Sequence, residues 1–361
     1  MKTSTGERHV VVSVSCGRDH TLALLANGKV FGWGGDGSGR IPSGTPEYCS
    51  TSQVPTRAVE VNIRERLVAI AAGHGVSLGL ATTGQLVVWG ATAAGVGGRL
   101  SSVMPAKPQL VAGIDGARTV AAGEFLFGAI DASGQIHTWG LNSEGALGRP
   151  TTRMNAAPGP VAAMPRASQL AAGKGYMLAL TPEGRLHAWG SNAAGQLGLG
   201  HLTSVPIPQS LPLQTRMRTI AAGATHALGV TTRGEVLAWG SNHHGQLGRD
   251  DLAYSALPVT VELPERVRTV AAGMHFSLAV GQSAQVYAWG WNGHGQLGLN
   301  DTDDRHAAVR VPGLEQVQSI AAGETHAAAL TAVGLVGWGN NAAGQIGSAD
   351  RRQTLPTVLL A

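Results

Sequence analysis

The sequence predicts an all-β fold, a seven-bladed β-propeller of four-stranded antiparallel blades. Three observations carry that prediction. The dipeptide Trp-Gly recurs seven times, beginning at Trp33, Trp89, Trp139, Trp189, Trp239, Trp289 and Trp338. Upstream of each lies a run of small residues closed by a glycine, at Gly17, Gly73, Gly123, Gly173, Gly223, Gly273 and Gly323, spaced 56 residues apart once and then 50 residues apart five times. A fixed period of this length marks a solenoid or a propeller. No sustained stretch carries apolar residues at helical spacing, which disfavours a helical solenoid.

One copy, residues 219–248 (TIAAGATHALGVTTRGEVLAWGSNHHGQLG), justifies the elements in order. Ile220-Ala221-Ala222 is a short β-prone run, and its small side chains suit a place where seven strands crowd one axis. Ala227–Val230 is a second apolar run. Thr231–Gly234 is a hairpin turn in which Gly supplies positive φ. Val236–Trp239 is a third strand, and its evenly placed Trp is expected to pack between neighbouring blades. The Asn of the next loop (Asn142, Asn192, Asn242, Asn292, Asn341) suits a turn, because its side chain bonds nearby backbone. Leu257–Val261 is a fourth strand. Four short strands punctuated by Gly and Pro make one blade, and a closed ring leaves only short, protected edges.

Composition bounds the rest. A chain of 361 residues suggests two or three ordinary domains on length alone. The repeat overrides that expectation, and residues 1–361 read as a single propeller domain of seven repeats. The 52 glycines belong to the repeat and do not signal disorder. A net charge of +4 with no Lys/Arg run makes nucleic acid an unlikely partner. The N-terminus lacks the apolar core of a signal peptide, and no segment reaches the ~18 apolar residues that span a membrane. Cytoplasmic synthesis is the expectation, although a protein exported by a specialised machine would read the same way. The uniform repeats and the Ala/Gly/Arg bias look bacterial. Cys16 stands where other repeats carry Ala and reads as a small buried hydrophobe. Cys49 falls in a loop. No Cys/His metal spacing is present, and neither metal nor cofactor is expected.

The phrase Ala-Ala-Gly-x-x-His-x-x-x-Leu, followed by Gly-x-Val-x-x-Trp-Gly-x-Asn-x-x-Gly-Gln-Leu-Gly, resembles the repeat of the regulator of chromosome condensation family. Ala221–Gly248 and Ala171–Gly198 are the clearest copies, and the resemblance runs from about Val10 to Leu360. It implies the seven-bladed ring. The family's usual His, three residues after the Gly, stands here as His20, His226 and His326, with Val76, Leu126, Tyr176 and Phe276 in the other repeats. That position reads as structural. The C-terminal segment Gln353–Leu360 resembles a fourth strand, and the resemblance suggests that it pairs with strands of the first repeat to join the ring's two ends.

Departures from the repeat mark the candidate sites. The two positions after each Ala-Gly vary in size, sign and polarity, and as equivalent turns they must emerge on one face. A protein partner contacting that face would meet Arg18, Asp19, His74, Glu124, Phe125, Lys174, Met274, His275 and Glu324. In related propellers such turns line partner-contacting surfaces. Phe125 and Met274 offer apolar anchors, and Arg18, Lys174 and Glu124 offer charge complementarity. A second candidate patch joins His243, His244 and His294 to Trp291, which lies outside any Trp-Gly pair and is expected at the surface. The six-residue excess between Trp33 and Trp89 falls in Arg40–Arg57, a Pro/Ser/Thr-rich loop carrying Tyr48 and Cys49.

Three function classes follow. The first is a non-catalytic platform for protein binding. The second is guanine-nucleotide exchange on a small GTPase, which the family's founding member performs with a protruding β-wedge. The uniform length of repeats 2 to 6 leaves no room for such a wedge. The third is a propeller enzyme such as a lyase. No Gly-x-Ser-x-Gly, Walker loop, His-Glu-x-x-His or Cys-x-x-Cys is present, so a catalytic site would have to be assembled from several loops.

Overall fold

The computed structural model describes residues 10–35, 41, 57–90, 108–151 and 154–360. They form seven four-stranded antiparallel sheets, the blades of a propeller. Blade 1 is Val11–Cys16, His20–Leu25, Val30–Gly34 and Val59–Glu60. Blade 5 is Met217–Ala222, His226–Thr231, Val236–Ser241 and Tyr254–Val261. The strands there run a few residues beyond the apolar cores legible in the sequence, because pairing with a neighbour extends each run past its buried residues.

Sequence repeat and blade are in phase, which corrects one expectation. The C-terminal strand, Arg352–Leu360, does not pair with the first repeat. It pairs with Gly334–Asn340 of its own blade, with Leu335 opposite Leu360 and Gly339 opposite Gln353. The seam between blades 7 and 1 is closed instead by side-by-side packing. Cys16, Ala23 and Trp33 share a core there with Ala328, Leu335 and Leu360, and Glu324 N donates to Gly17 O at 3.1 Å.

The seven tryptophans sit between blades. Trp239 of blade 5 packs on Leu178, Leu180 and Leu186 of blade 4. Its Nε1 donates to Gln196 O at 2.9 Å, in the loop of that preceding blade. Trp289 and Trp338 repeat the bond to Gln246 O and Gln296 O, each at 2.9 Å. A buried indole N–H thereby finds an acceptor, and these blades are tied to the ones before them; Trp139 Nε1 is buried without such a bond. The glycine after each Trp has its own cause. Gly240 has φ +102 at the register shift beside Trp239, and a Cβ there would strike the Thr225 carbonyl.

The loop asparagines act as expected. Asn242 Oδ1 accepts from Leu247 N at 2.8 Å, while its Nδ2 donates to Arg249 O and Leu252 O. The histidine position is structural too. His20, His226 and His326 reach into the next blade, to Ser77 Oγ at 2.9 Å, Ser277 Oγ at 3.0 Å and Thr21 Oγ1 at 2.9 Å. Full burial holds the imidazoles of His226 and His326 down at about 3, with the neighbouring His275 adding to the depression at His226. Cys16 is buried, and burial pushes its thiol up to about 12.

The first strands line the axis. Their closing glycines meet around it, and a Cβ on Gly17 would lie 2.5 Å from Gly73 O. Arg18 N donates to Gly73 O, Met274 N to Glu324 O and Glu324 N to Gly17 O, at 3.1–3.3 Å. Only residues without a side chain let seven backbones approach this closely. The axis thus has two distinct ends: the turns after Ala-Gly at one, and the hairpin turns with the links between repeats at the other.

Candidate functional site

The turn residues form concentric ranks around the mouth of the axis. The first rank, Arg18, His74, Glu124, Lys174, Ala224, Met274 and Glu324, lines an axial cavity of about 110 Å³ whose deeper wall is Cys16 and the strand alanines. Arg18 Nη1 donates to His74 Nε2 at 2.7 Å. A guanidinium cannot accept, so the ring hydrogen sits on Nδ1 and donates to Glu324 Oε1 at 2.5 Å. Arg18 Nε also lies 3.9 Å from Glu324 Oε2. Farther round the mouth, Lys174 Nζ lies 3.2 Å from Glu124 Oε2. Arg18 and Lys174 are 51% and 56% exposed, so these pairs add at most about 1 kcal/mol each. Their effect is to aim the side chains across the opening.

The second rank carries Asp19, Phe125 and His275. Here the backbone also receives the next loop outward: Trp291 N donates to His275 O at 2.9 Å, Leu141 N to Phe125 O at 2.7 Å, and Gly35 N to Asp19 O at 2.8 Å. Phe125 adopts φ 56, in the left-handed region, where the equivalent Gly175 of the next blade has φ 71. A bulky residue is disfavoured in that conformation. The Phe125 ring stands 5.2 Å from the His74 ring, centroid to centroid.

The bonds between ranks place both candidate patches on one face. His275 links them. Its ring is 5.4 Å from His244 and 6.3 Å from Trp291, and Trp291 is 5.2 Å from His294. His244 Nδ1 is anchored to Asp304 Oδ2 at 3.0 Å. Burial depresses the imidazole of His275, and the nearby His244, Lys174 and His243 push it the same way. Burial first, and Arg352 second, depress His294. His243 is exposed, whereas Trp291 is half-buried and not fully at the surface as expected. The correction has a local cause: the indole lies over Gly293, where a Cβ would come within 2.9 Å of its Nε1.

Sequence reasoning placed these turns on one face and missed their connectivity. His74 and Glu324 are 250 residues apart, and no periodic signal announces their bond. The left-handed Phe125 did have a signal, since Gly175 occupies that turn position in the next blade with φ 71. Of Arg40–Arg57, only Ile41 and Arg57 are among the described residues, and Tyr48 and Cys49 lie outside them. Among the described residues no three His, Cys, Asp or Glu side chains are grouped to hold a metal ion, and no helix is long and apolar enough to cross a membrane.

Comparison with known proteins bears on the ring. A model described as the RCC1-like domain matches residues 95–360, and one described as the regulator of chromosome condensation (RCC1) repeat matches residues 11–40. The ultraviolet-B receptor UVR8 of Arabidopsis thaliana is 34% identical over 119 residues, 32% of this chain and 26% of that protein. The crystal structure of human WBSCR16 aligns with a TM-score of 0.82 at 23% identity, covering 92% of this chain and 95% of that one. Yeast RCC1 (Prp20), solved bound to Kap60, aligns with a TM-score of 0.74 at 23% identity, covering 87% and 78%. The matched stretches span between 2% and 26% of the curated relatives' lengths.

Proposed function

The chain belongs to the RCC1-like family, and from that premise we propose that residues 1–361 act as one non-catalytic platform that binds a protein partner on the face carrying the turns after Ala-Gly. The observation that carries the reading is Phe125. An aromatic side chain is kept at a turn whose backbone favours glycine, at the rim of the axial mouth. The backbone conformation at this position is one that a bulky side chain disfavours, and strain of this kind collects at binding sites. Met274 offers a second apolar anchor, and Arg18, Lys174, Glu124 and Glu324 set a charge pattern that a complementary surface can read. Asp19, His74 and His275 lie between these groups, with His243, His244, Trp291 and His294 as the outer margin of the same surface. The yeast relative solved in complex with Kap60 supports a protein as the kind of partner. A bacterial setting is the one we propose, from the Ala/Gly/Arg bias of the sequence.

Nucleotide exchange is the weaker reading. It rests on family resemblance alone, and the even 50-residue spacing from Gly73 to Gly323 holds no inserted wedge. The deciding experiment replaces Arg18, Phe125, Lys174 and Met274 together and measures both melting and capture of the partner that the wild type retains. Normal melting with capture abolished is the expected result. If capture survives that change but is lost on replacing His243, His244, Trp291 and His294, the partner uses the outer loops and the site assignment is wrong; survival of both changes overturns the reading.

A further inference from the structure

At the opposite end of the axis, each first strand begins with the same alternation. In blades 2 to 7 a buried apolar residue is flanked by two exposed ones, as in Arg216-Met217-Arg218 of blade 5 and Arg266-Val267-Arg268 of blade 6, and in blade 1 the central Val11 is half-buried. Around the ring these flanking positions form two ranks. Arg66, Arg166, Arg216 and Arg266 stand in the rank before the buried residue, and Arg118, Arg218 and Arg268 in the rank after it. The seven remaining positions are Val, Gly, Ser or Gln, and none is acidic. Among the described residues, none of these arginines forms an ion pair.

Three are held in place by backbone instead. Arg218 Nη2 donates to Val267 O at 2.5 Å and Arg268 O at 2.9 Å, in the next blade. Arg268 Nη2 donates to Val317 O at 2.5 Å, one blade farther on. Arg266 Nη1 donates to Arg233 O. Each of these contacts uses one nitrogen of the fork and fixes its plane. Acids lie beside these ranks: Glu65 and Glu265 directly precede Arg66 and Arg266, Glu265 is engaged by Ser283 and Tyr287, and Glu183 interacts electrostatically with Arg216. Clustered like charges repel, so this crowding works against the compact state unless something neutralises it.

We propose that this end of the axis is a docking surface for an acidic polypeptide segment. Planar guanidinium forks donate paired hydrogen bonds to carboxylates, and a short flexible chain can follow ranks that curve around an axis. A nucleic acid fits less well. Neither rank contains an aromatic side chain on which a base could stack, and the charges lie around a ring rather than along a stripe. The site is separate from the platform face, so the two readings fail independently.

The test measures binding of a fluorescent Asp/Glu-rich peptide, and of single- and double-stranded DNA of equal charge, to the intact chain at about 100 mM salt. The principal variant carries Arg216→Ser, Arg218→Ser, Arg266→Ser and Arg268→Ser. The matching Lys variant keeps the charge while losing the fork, and Arg18→Ser with Lys174→Ser serves as the control at the other end. Peptide affinity should fall about tenfold or more in the Ser variant, fall less in the Lys variant and hold in the control, with melting monitored throughout. If the Ser variant melts early, the Lys variant decides, since a fork-dependent loss at normal melting still supports the site. Absence of peptide binding by the wild type overturns the proposal. Equal loss in the control overturns it, and so does tighter binding of either DNA through the same arginines.

Discussion

The two ends of the axis are built by the same repeat and differ in how their charges are settled. At the turn end, Arg18, His74 and Glu324 are bonded to one another, and Lys174 reaches Glu124. At the strand-start end, arginines cluster, and Arg218, Arg266 and Arg268 are bonded to backbone carbonyls. The turn end therefore presents a shaped, nearly neutral mosaic, and the other presents a field. A repetitive frame leaves both rims free to vary, and mosaics read shape whereas fields read sign.

The largest expected effect breaks the frame that both ends share. Trp189→Ala or Trp239→Ala should cost roughly 3–5 kcal/mol in denaturant unfolding, because each removes a fully buried side chain between blades. Equal tolerance at Trp239 and Trp291 would contradict that role. Acid should separate the ends next. His226 and His326 lie just beneath the turns with their imidazoles lowered to about 3. The unfolded chain therefore binds protons that the folded one refuses. Their stabilisation is complete above the ordinary histidine value and is lost as pH falls from about 6.5 towards 3, at about 2 kcal/mol per histidine by pH 5. Replacing both with Phe, as at Phe276, should flatten the acid limb of a melting-versus-pH profile. Amide exchange at residues 224–226 should rise before that at residues 216–218.

Gly323→Ala probes the seam, since its Cβ would press on Gly17 O. A loss of about 1–3 kcal/mol is expected, matched by Gly123→Ala, which meets Gly173 O in the same way. A much smaller loss at Gly323 would mean a looser closure between blades 7 and 1. The smallest effects lie on the turn face alone. Trp291→Ala should cost about 1 kcal/mol. Phe125→Gly should gain about 1 kcal/mol by relieving the left-handed backbone while weakening partner capture. A loss of stability at Phe125→Gly would remove strain as the argument for that residue.

The period made the blades legible. Trp, Gly and Asn each recur because one packing problem recurs, so Trp239 and Asn242 could be assigned from one copy. What escaped was anything that depends on how copies meet. The final strand could be matched to a fourth strand without revealing which blade it joins, because phase belongs to the ring. The bond from His74 to Glu324 crosses the mouth between residues that no period relates. The arginines escaped for a different reason. They are separated by one buried residue within a blade and by a whole repeat between blades, so a search for basic runs passes over them.

One consequence of the closure reaches beyond binding. No strand is exchanged across the seam, and Gly17 receives there the same kind of hydrogen bond that links other neighbours. The ring therefore has no privileged beginning. A circular permutant that links Val10 directly to Leu360 and opens the chain between blades 4 and 5 should assemble the same seven sheets, since Val11 and Leu360 share a core.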